Sequence, residues 1–399
     1  MNNTCPPPLA LMDRIGMVLF VAWLFFLGFI ARVVFSPLLP SIEESLGLSH
    51  AEAGGLFFMV AAGFFCGQMG AGFINSRLQH RGALIVSAAA VGAALLPFVL
   101  VARSLAGIRL LMFLVGIAAG IHVPSAIATI TASVQRSDWG KALGIHQTAP
   151  NLSFVMAPML AELFMRKYDW SVLPTTIGVV SLVSAILFAR LGKGGEFYGS
   201  SPRPEIVGEL LRNRSYWAMI LLFCLGIGGG IGVYAMLPLF LIKEAGMTSV
   251  MANTLLGLSR VSGLVMPFAS GLIMDRIGEK RAIGYVLAAG GAATLVLGLV
   301  KGPWLIAALF VQPAILTCFF PPAFSALSRI VPPHMRTVAT SLTVPAAFMM
   351  GVGVVPWLLG YAAEIHSFSL GIALLGICIM TGSAVVAFLR FRVDQEEGC

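Results

Sequence analysis

The segment Asn253–Arg281, with the sequence NTLLGLSRVSGLVMPFASGLIMDRIGEKR, decides how the rest of the chain is interpreted. It is apolar over a length that crosses a bilayer, except for one arginine, Arg260, well inside it. It ends in a compact charged turn that begins at Asp275. Because a cation within hydrocarbon is costly to insert, the segment predicts a membrane helix that carries a functional side chain.

The same apolar character runs through the whole chain. Of its 399 residues, 58% are hydrophobic and 11% are charged, with a mean hydropathy of +0.93. Soluble domains carry about 25% charged residues. The sequence therefore predicts an integral membrane protein. Residues 1–14 precede an apolar run that is too long for a cleaved signal peptide, so we expect this run to remain as the first span.

The composition also excludes several classes of function. The net charge of +8 comes from basic residues in short loops rather than in one cluster, so we expect no nucleic-acid partner. The six cysteines lack metal-ligand spacing, and we expect no metal, no disulfide and no cofactor. The sequence contains no HExxH, no GxSxG and no paired carboxylates, which argues against an intramembrane enzyme.

We predict an all-α membrane protein with twelve transmembrane helices in two six-helix bundles. The first bundle covers residues 1–189, a linker covers 190–215, and the second bundle covers 216–399. The linker is rich in Gly, Ser and Pro and ends in a short polar helix. The spans are predicted at residues 15–40, 53–75, 83–102, 109–131, 142–165, 172–189, 216–241, 251–273, 282–300, 304–327, 338–363 and 367–389.

The distribution of Lys and Arg predicts the orientation. With a cytoplasmic N-terminus, the inner segments hold 17 of the 25 basic residues and the outer segments hold six. Basic residues favour the cytoplasmic side, so we expect both termini in the cytoplasm of a multi-pass plasma (inner) membrane protein, in contact with lipid.

The two halves resemble each other at an offset of about 199 residues. Residues 72–77 (GFINSR) align with 271–276 (GLIMDR), and Pro124 aligns with Pro322. Two similar bundles that rock about a site at their interface are what an alternating-access transporter needs.

The charged turn that begins at Asp275 resembles the signature loop of the major facilitator superfamily, found between its second and third spans and again between its eighth and ninth. The twelve spans and the long central loop also fit this family, which implies its fold. The sequence departs from the family pattern at Glu279, where a basic residue is usual. Ser76 and Gln79 replace the aspartate and the glycine of the first copy.

The resemblance implies a gate at the cytoplasmic side. In it, Asp275 pairs with arginines in one state and releases them when the protein opens inward. The loop can alternatively serve as a positive-inside anchor alone. The expected gating residues are Asp275, Arg276, Gly278, Lys280, Arg281, Arg77 and Arg81.

Two arginines lie within predicted spans. Arg32 lies eight residues before Pro40, roughly 12 Å from the outer end of its span, and Arg260 lies roughly 14 Å from the outer end of its own. No carboxylate is evident near either one, so both favour a water-filled cavity and an anionic substrate. The alternative is that they snorkel or bond backbone carbonyls.

Polar residues elsewhere in the spans complete the predicted site. His122 and His146 titrate in the physiological range and are candidate proton carriers, with a packing role as the alternative. Gln147 and Asn151 make the start of the fifth span polar, which is typical of a cavity wall. Tyr234 follows a glycine cluster in the seventh span and is a further candidate for substrate contact.

The leading functional hypothesis is a secondary transporter of a small organic anion, coupled to protons. Arg260 resembles the intramembrane arginine that monocarboxylate transporters carry in their eighth helix, which implies a carboxylate. The main alternative is an efflux transporter that exchanges drugs or metabolites for protons. A substrate-sensing receptor on the same fold is a third possibility. We expect a monomer.

Overall fold

The computed structural model describes residues 9–101, 103–199, 204–332 and 335–391, without the side chains of residues 204–206 and Thr337. Within these residues the regular structure is helical, with one isolated bridge between Leu9 and Val134. The membrane helices are α1 (Leu11–Leu46), α2 (residues 50–78), α3 (residues 80–101), α4 (Leu105–Ser133), α5 (Trp139–Met165), α6 (Val172–Leu191), α7 (Arg214–Glu244), α8 (Ser249–Leu264 continued by Met266–Ile277), α9 (Glu279–Leu299), α10 (Pro303–Ile330), α11 (Val338–Ile365) and α12 (Phe368–Phe388). A linker helix, Pro204–Leu211, joins α6 to α7.

These helices occupy the twelve predicted positions. By length and composition, nine continuous helices in the described residues can cross a membrane, and α8 is a tenth because it is bent by about 40°. One of the nine, His50–Val101, contains both α2 and α3, joined by a turn at Gln79. The remaining predicted span is α5, whose 27 residues include the polar stretch noted in the sequence.

One predicted boundary was wrong, and one predicted span is bent. Helix α1 continues through Pro40 and ends at Leu46, where Gly47 adopts a left-handed conformation that stops the helix. The predicted depth of Arg32 below Pro40 therefore understates its distance from the end of the helix. Helix α8 covers its predicted span but is not one straight helix, since regular geometry is lost at Val265, two residues before Pro267.

Equivalent glycines pack equivalent helices in the two halves. In the first half, a Cβ on Gly92 of α3 would lie 2.7 Å from the carbonyl oxygen of Gly178 in α6. In the second half, a Cβ on Gly291 of α9 would lie 2.8 Å from the carbonyl oxygen of Gly376 in α12. Both helix pairs thus approach so closely that no side chain fits between them, and they are related by the sequence offset of the repeat.

The turns between the second and third helices of each half also share one backbone conformation. Gly278 has φ 81° and ψ 156°, and Gln79, at the equivalent position, has φ 60° and ψ 166°. Gln79 is the only residue other than glycine with a positive φ among the described residues. This region of backbone space is essentially restricted to glycine, so Gln79 is strained.

The linker holds the strained turn in place. The backbone N–H of His80 donates to the carbonyl of Phe197 at 3.1 Å, and that of Arg81 donates to Gly195 at 2.8 Å. The rings of His80 and Phe197 lie 4.7 Å apart. Residues 195–199 of the predicted linker therefore pack onto the first half.

We expect Gln79→Gly to stabilise the protein by about 1 kcal/mol. The substitution removes backbone strain of about 1–3 kcal/mol, and the greater freedom of glycine in the unfolded chain offsets roughly 0.5–1 kcal/mol of the gain. Thermal unfolding in detergent measures the change. The matched control is Gly278→Gln in the second copy, which should lower the stability. If Gln79→Gly were neutral or destabilising, the turn would not be strained.

The two halves meet along three helix pairs, α1 with α7, α2 with α11, and α5 with α8. We call the end with the linker and the start of α1 the linker end, and the opposite one the far end. At the far end, the N–H of Ala51 donates to Glu364 at 2.7 Å, and Lys243 lies 3.9 Å from Glu43. The ring of His50 lies 5.0 Å from that of Phe368.

The seal between the halves is confined to one side of the membrane. Among the described residues, every hydrogen bond and salt bridge between the first and second halves lies at the middle of the helices or toward the far end. The linker-end segments of α8 and α10 pack within the second half. Among the described residues, polar contacts therefore hold the two halves together at the far end and none does so at the linker end.

Candidate functional site

Arg260 lies at the bend of α8. The α-helical part ends at Ser259, and Arg260–Leu264 forms a 3₁₀ turn before the chain resumes as an α-helix at Met266. Gly263, within this turn, leaves room for Asn151 of α5, whose Oδ1 would lie 3.0 Å from a Cβ at that position. The bend thus presents Arg260 to the interface between the two halves.

The guanidinium of Arg260 is buried but not satisfied. The residue is only 5% exposed, and its Nε and Nη2 atoms have no hydrogen-bond partner among the described residues. Its Cζ atom lies 4.6 Å from the ring centre of Tyr234 and 5.4 Å from that of Phe154. Aromatic faces attract a cation but accept no conventional hydrogen bond, so two N–H groups remain available for an anion.

Arg32 is held very differently. Its Nε donates to the carbonyl of Gly28 at 3.2 Å. Its Cζ lies 4.7 Å from the ring centre of Phe29, 4.6 Å from that of Phe64 and 5.5 Å from that of Phe348. This aromatic cage, built from α1, α2 and α11, stabilises the cation in place. Arg32 therefore already has partners for much of its guanidinium.

Aromatic rings connect the two arginines across the interface. The ring of Phe29 lies 5.3 Å from that of Phe154, which lies 4.8 Å from that of Tyr234. The hydroxyl of Tyr234 donates to the carbonyl of Phe154 at 3.3 Å, and the carbonyl of Tyr234 accepts from Ser36 at 2.8 Å. Tyr234 thus joins the halves and underlies Arg260, rather than standing free in a cavity.

A narrow cavity lies beside this aromatic row, between α1, α2, α7 and α11. Its volume of about 20 Å³ holds little more than one water molecule. Arg32, Tyr234 and Phe348 are among the residues that line it. In this conformation the space next to Arg32 is therefore too small for an organic ligand.

The glycine cluster of α7 forms a π-helical turn, Gly228–Gly232, and α11 contains another, Met349–Val354. The two turns pack together, because the side of Gly232 without a side chain contacts the carbonyl of Gly351. The buried amide of Gln312 in α10 donates to the carbonyl of Gly229 at 2.8 Å. Close packing and local distortion, the two alternatives for these glycines, therefore occur together.

The two candidate proton carriers are brought into contact. Nε2 of His122 in α4 lies 3.4 Å from Nε2 of His146 in α5, and the residues are 2% and 1% exposed. The ring of Phe25 in α1 stacks on both, at 5.2 Å and 4.4 Å. Phe25 in turn lies 6.0 Å from Phe29, which is part of the aromatic row.

The polar residues of α5 are divided between two environments. Asn151 is half-buried and faces α8, near the bend that carries Arg260. Gln147 lies one turn earlier and is exposed. Asn151 therefore lies close to the arginine, and Gln147 is not part of the same buried cluster.

The predicted gate residues are dispersed at the linker end. Asp275, Arg276 and Arg281 are exposed, and Asp275 forms no salt bridge with any described residue. The Nζ of Lys280 donates to the carbonyls of Ala387 and Leu389, at 3.2 Å and 3.1 Å. The second-half gate residues therefore contact their own half in this conformation.

The first-half gate residues behave in the same way. Arg81 pairs with Glu196 of the linker at 3.1 Å, and Arg77 lies over the ring of Phe73 at 4.0 Å. The residue that departs from the family pattern, Glu279, forms the ion pair of the second loop, at 2.9 Å from Arg329. The sequence did not suggest that contact.

The aromatic partners of the site were not identified from the sequence. Phe25, Phe29 and Arg32 recur at intervals of four and three residues, so they share one face of α1, and this spacing was an available signal. Phe64, Phe154 and Phe348 come from other helices, and no local sequence pattern indicates that they meet there.

Several curated transporters are similar to this chain. A multidrug resistance protein MdtL of Klebsiella pneumoniae (strain 342) is 28% identical over 267 residues, covering 64% of this chain and 67% of that protein. A probable sulfoacetate transporter SauU of Cupriavidus necator is 25% identical over 299 residues, covering 68% of each. A gallate transporter of Pseudomonas putida is 24% identical over 308 residues, covering 68% of this chain and 66% of that protein. The chain spans 61% to 68% of the length of such relatives.

Solved structures share the fold. A D-xylose-proton symporter superposes with a TM-score of 0.75 at 18% identity, covering 95% of this chain and 98% of that one. A POT family transporter in complex with a thioalcohol conjugated peptide superposes with a TM-score of 0.78 at 13% identity, covering 96% and 98%. At these identities the likeness establishes the two-bundle architecture alone.

The family model of the Major Facilitator Superfamily matches residues 21–356, which include the charged turns of both halves. The same turns, the twelve helices and the repeated packing are present in the structure. Members of this family are multi-pass membrane transporters of small molecules, often with a proton, and in general not enzymes. The chain belongs to the Major Facilitator Superfamily.

Proposed function

We propose that this protein is a secondary active transporter of a small organic anion, with carboxylates as the main class, and that it works by alternating access with protons as the coupling ion. The observation that carries the proposal is the guanidinium of Arg260, which is buried at the interface of the halves with two N–H groups unpaired. The names of the sulfoacetate and gallate transporters support an acidic organic substrate.

The physical argument rests on the cost of an unpaired buried cation. Placing an arginine in the middle of a membrane helix costs about 2.5–3.5 kcal/mol on insertion scales. The rings of Tyr234 and Phe154 offset part of that cost, and no described carboxylate forms a salt bridge with Arg260. An anion with two coplanar oxygens fits the free side of a guanidinium, which binds carboxylates in a fork. Arg260 is thus the main anion anchor.

The other predicted site residues have secondary roles in this proposal. Arg32, caged by three rings, contributes a positive field to the site rather than a direct contact. Tyr234 holds the face of Arg260, and Asn151 offers an amide near the bend of α8. Gln147, which is exposed, contacts the substrate only on its way to the site.

For the transport cycle we propose that the halves, residues 1–189 and 216–399, rock about the aromatic row. The linker end is assigned to the cytoplasm by its excess of basic residues, in a monomer of the inner membrane. The far-end seal then makes this conformation inward-facing. When the linker end closes, the dispersed gate residues meet, with Asp275 as the acceptor for arginines.

We propose symport as the mode of coupling, with His122 and His146 as the proton carriers. Both are buried in the first half, and Phe25 and Phe29 connect them to the row that reaches Arg260. A protonated histidine pair adds positive charge on the same side of the site as Arg32, which favours binding of an anion.

A second candidate function is efflux of drugs or metabolites in exchange for protons, which the MdtL relatives favour. A cation exporter usually has an acidic side chain deep within the first half. Here the acids of the first half lie at helix ends, as Glu43 and Glu162 do. Efflux of an anionic or neutral compound remains compatible with Arg260.

A ligand panel on the purified protein separates these functions. We expect thermal stabilisation by at least one of acetate, lactate, sulfoacetate and gallate, and none by tetraphenylphosphonium or ethidium. Anion binding to the folded state alone raises the unfolding free energy by about 2.7 kcal/mol at a hundredfold excess over Kd. Stabilisation by the cations and not by the anions would replace the main proposal with the efflux alternative.

Uptake into proteoliposomes tests the coupling. With the stabilising anion as substrate, we expect an inward proton gradient to raise the initial rate of uptake and to drive accumulation above the external concentration. A protonophore should abolish the accumulation without preventing equilibration. Uptake that is the same with and without the gradient would make the protein a uniporter or an exchanger.

A further inference from the structure

His122 and His146 meet in a particular geometry. Their ring planes are parallel to within 1°, the ring centres are 5.7 Å apart, and the two Nε2 atoms are 3.4 Å apart. The distance between the ring centres exceeds the distance between the Nε2 atoms by no more than the combined radii of the two imidazole rings. The nitrogens therefore point at each other along the line that joins the rings, which is the arrangement of an N–H···N hydrogen bond.

The geometry does not suit a metal ion. Two histidines that share a metal direct their in-plane lone pairs at a third point, so the nitrogens do not face each other directly. No group of three or more metal-binding side chains occurs among the described residues either. The arrangement of the two rings suits a shared hydrogen instead.

The pair has few polar neighbours, and the side chain of Gln147, which follows His146 in α5, is one of them. Phe25 lies parallel to both rings, at 4.4 Å and 5.2 Å, and covers one face of the contact. No described carboxylate forms a hydrogen bond or salt bridge with either histidine. Helix α1, which contacts both histidines through Phe25, carries the charged side chain of Arg32 in its middle.

We infer that His122 and His146 act as one proton-binding unit that holds a single proton, rather than as two independent carriers. The inference deepens the proposed proton coupling and rests on it for its role in transport. In the neutral pair, one ring donates its Nε2–H to the bare Nε2 of the other, whose own hydrogen is on Nδ1. The incoming proton binds the free Nδ1 of the donor ring, and no existing bond is broken.

A second proton has no comparable place. It would have to bind the accepting Nε2, so that two N–H groups would face each other across the contact between α4 and α5. Both rings would then be cations, in the field of Arg32. Like charges this close cannot both be held at ordinary pH, and the pair titrates as a unit.

The number of protons bound is measured directly, without a substrate. Purified protein in detergent is titrated between about pH 8 and pH 4, a range that spans the ordinary histidine pKa, and proton uptake is compared with that of the double variant His122→Gln/His146→Gln. Glutamine keeps a polar group near the position of Nε2 and does not titrate in this range. We expect the wild type to bind one proton more than the double variant.

The single variants provide the second measurement. In the proposed unit, His122→Gln and His146→Gln each still bind one proton, at lower pH than the wild type, because the partner ring that accepts the hydrogen bond is gone. A difference of two protons between the wild type and the double variant, with one lost in each single variant, would overturn the inference. A difference of zero would also overturn it.

Failure of this inference is distinguishable from failure of the proposed function. Two bound protons together with gradient-driven uptake would leave the symport proposal intact and refute the unit. One bound proton together with gradient-independent uptake would support the unit and refute its use in transport. Thermal unfolding of each variant confirms that it is folded before its protons are counted.

Discussion

Arg260→Ala should abolish the thermal stabilisation that an organic anion gives to the wild type. The substitution removes the guanidinium, and with it both the positive charge and the Nε and Nη2 donors that are buried without a partner. Hydrogen bonds to charged groups contribute about 1.5–3 kcal/mol. Loss of one such contact weakens binding roughly 10- to 150-fold, and loss of a bidentate pair weakens it more. Isothermal titration with the stabilising anion measures the change in Kd.

Two matched controls are a lysine at position 260 and a substitution of Arg32. Arg260→Lys keeps the charge and loses the fork, so we expect weakened binding rather than none. Arg32→Gln removes a cation that three rings already hold, so it should lower the thermal stability while the anion still binds. If Arg260→Ala bound the anion as tightly as the wild type, or if Arg32→Gln were the variant that lost it, Arg260 would not be the anchor.

Gly54→Ala should shift the protein away from the conformation sealed at the far end. A Cβ on Gly54 of α2 would collide with the carbonyl oxygen of Pro356 in α11 and lie 2.7 Å from the Pro356 carbonyl carbon. Both contacts involve backbone, so the helices must separate. Overpacking of this kind costs about 1–3 kcal/mol, which changes the ratio of the two conformations roughly 5- to 150-fold.

The adjacent glycine gives a control within the same helical turn. A Cβ on Gly55 would meet only the side chain of Trp357, at 3.8 Å, which is an ordinary contact. Alanine favours helix over glycine at both positions, so helix propensity alone would make both variants slightly more stable. The two variants therefore differ in whether the added methyl group collides with the backbone of α11.

Spin labels on Glu44 and Val250, in a background without native cysteines, report the far-end separation of the two halves. Both positions are exposed, so the labels themselves do not disturb packing. We expect a longer distance in Gly54→Ala than in Gly55→Ala, and slower uptake in proteoliposomes. Equal distances in the two variants would mean that the α2–α11 contact does not hold the far end closed.

The sequence alone was sufficient to predict the architecture and the repeat. Lengths of apolar runs identify membrane helices because hydrocarbon excludes unpaired backbone groups, and this constraint acts on each segment separately. It located even the polar α5 and the bent α8 correctly to within a few residues. The repeat offset related Gln79 to Gly278, and the two residues share one backbone conformation.

Other features depended on how the helices turn and bend against one another. The sequence showed two arginines without carboxylates, but only the structure distinguished the caged Arg32 from the unsatisfied Arg260. It showed two histidines 24 residues apart, but not that their Nε2 atoms face each other. Such contacts join residues from different helices, and no local pattern of hydrophobicity records them.

The segment from Asn253 to Arg281 has features of both kinds, some predictable from the sequence and some decided by packing. Its apolar length, its buried cation and its charged turn are properties of the sequence, since each follows from residue type and spacing. The bend that begins at Arg260, the close approach of Asn151 to Gly263 and the rings beneath the guanidinium are decided by packing against α5 and α7. The sequence determined that a cation lies in the membrane, and the tertiary structure decided that its hydrogen-bond donors remain free.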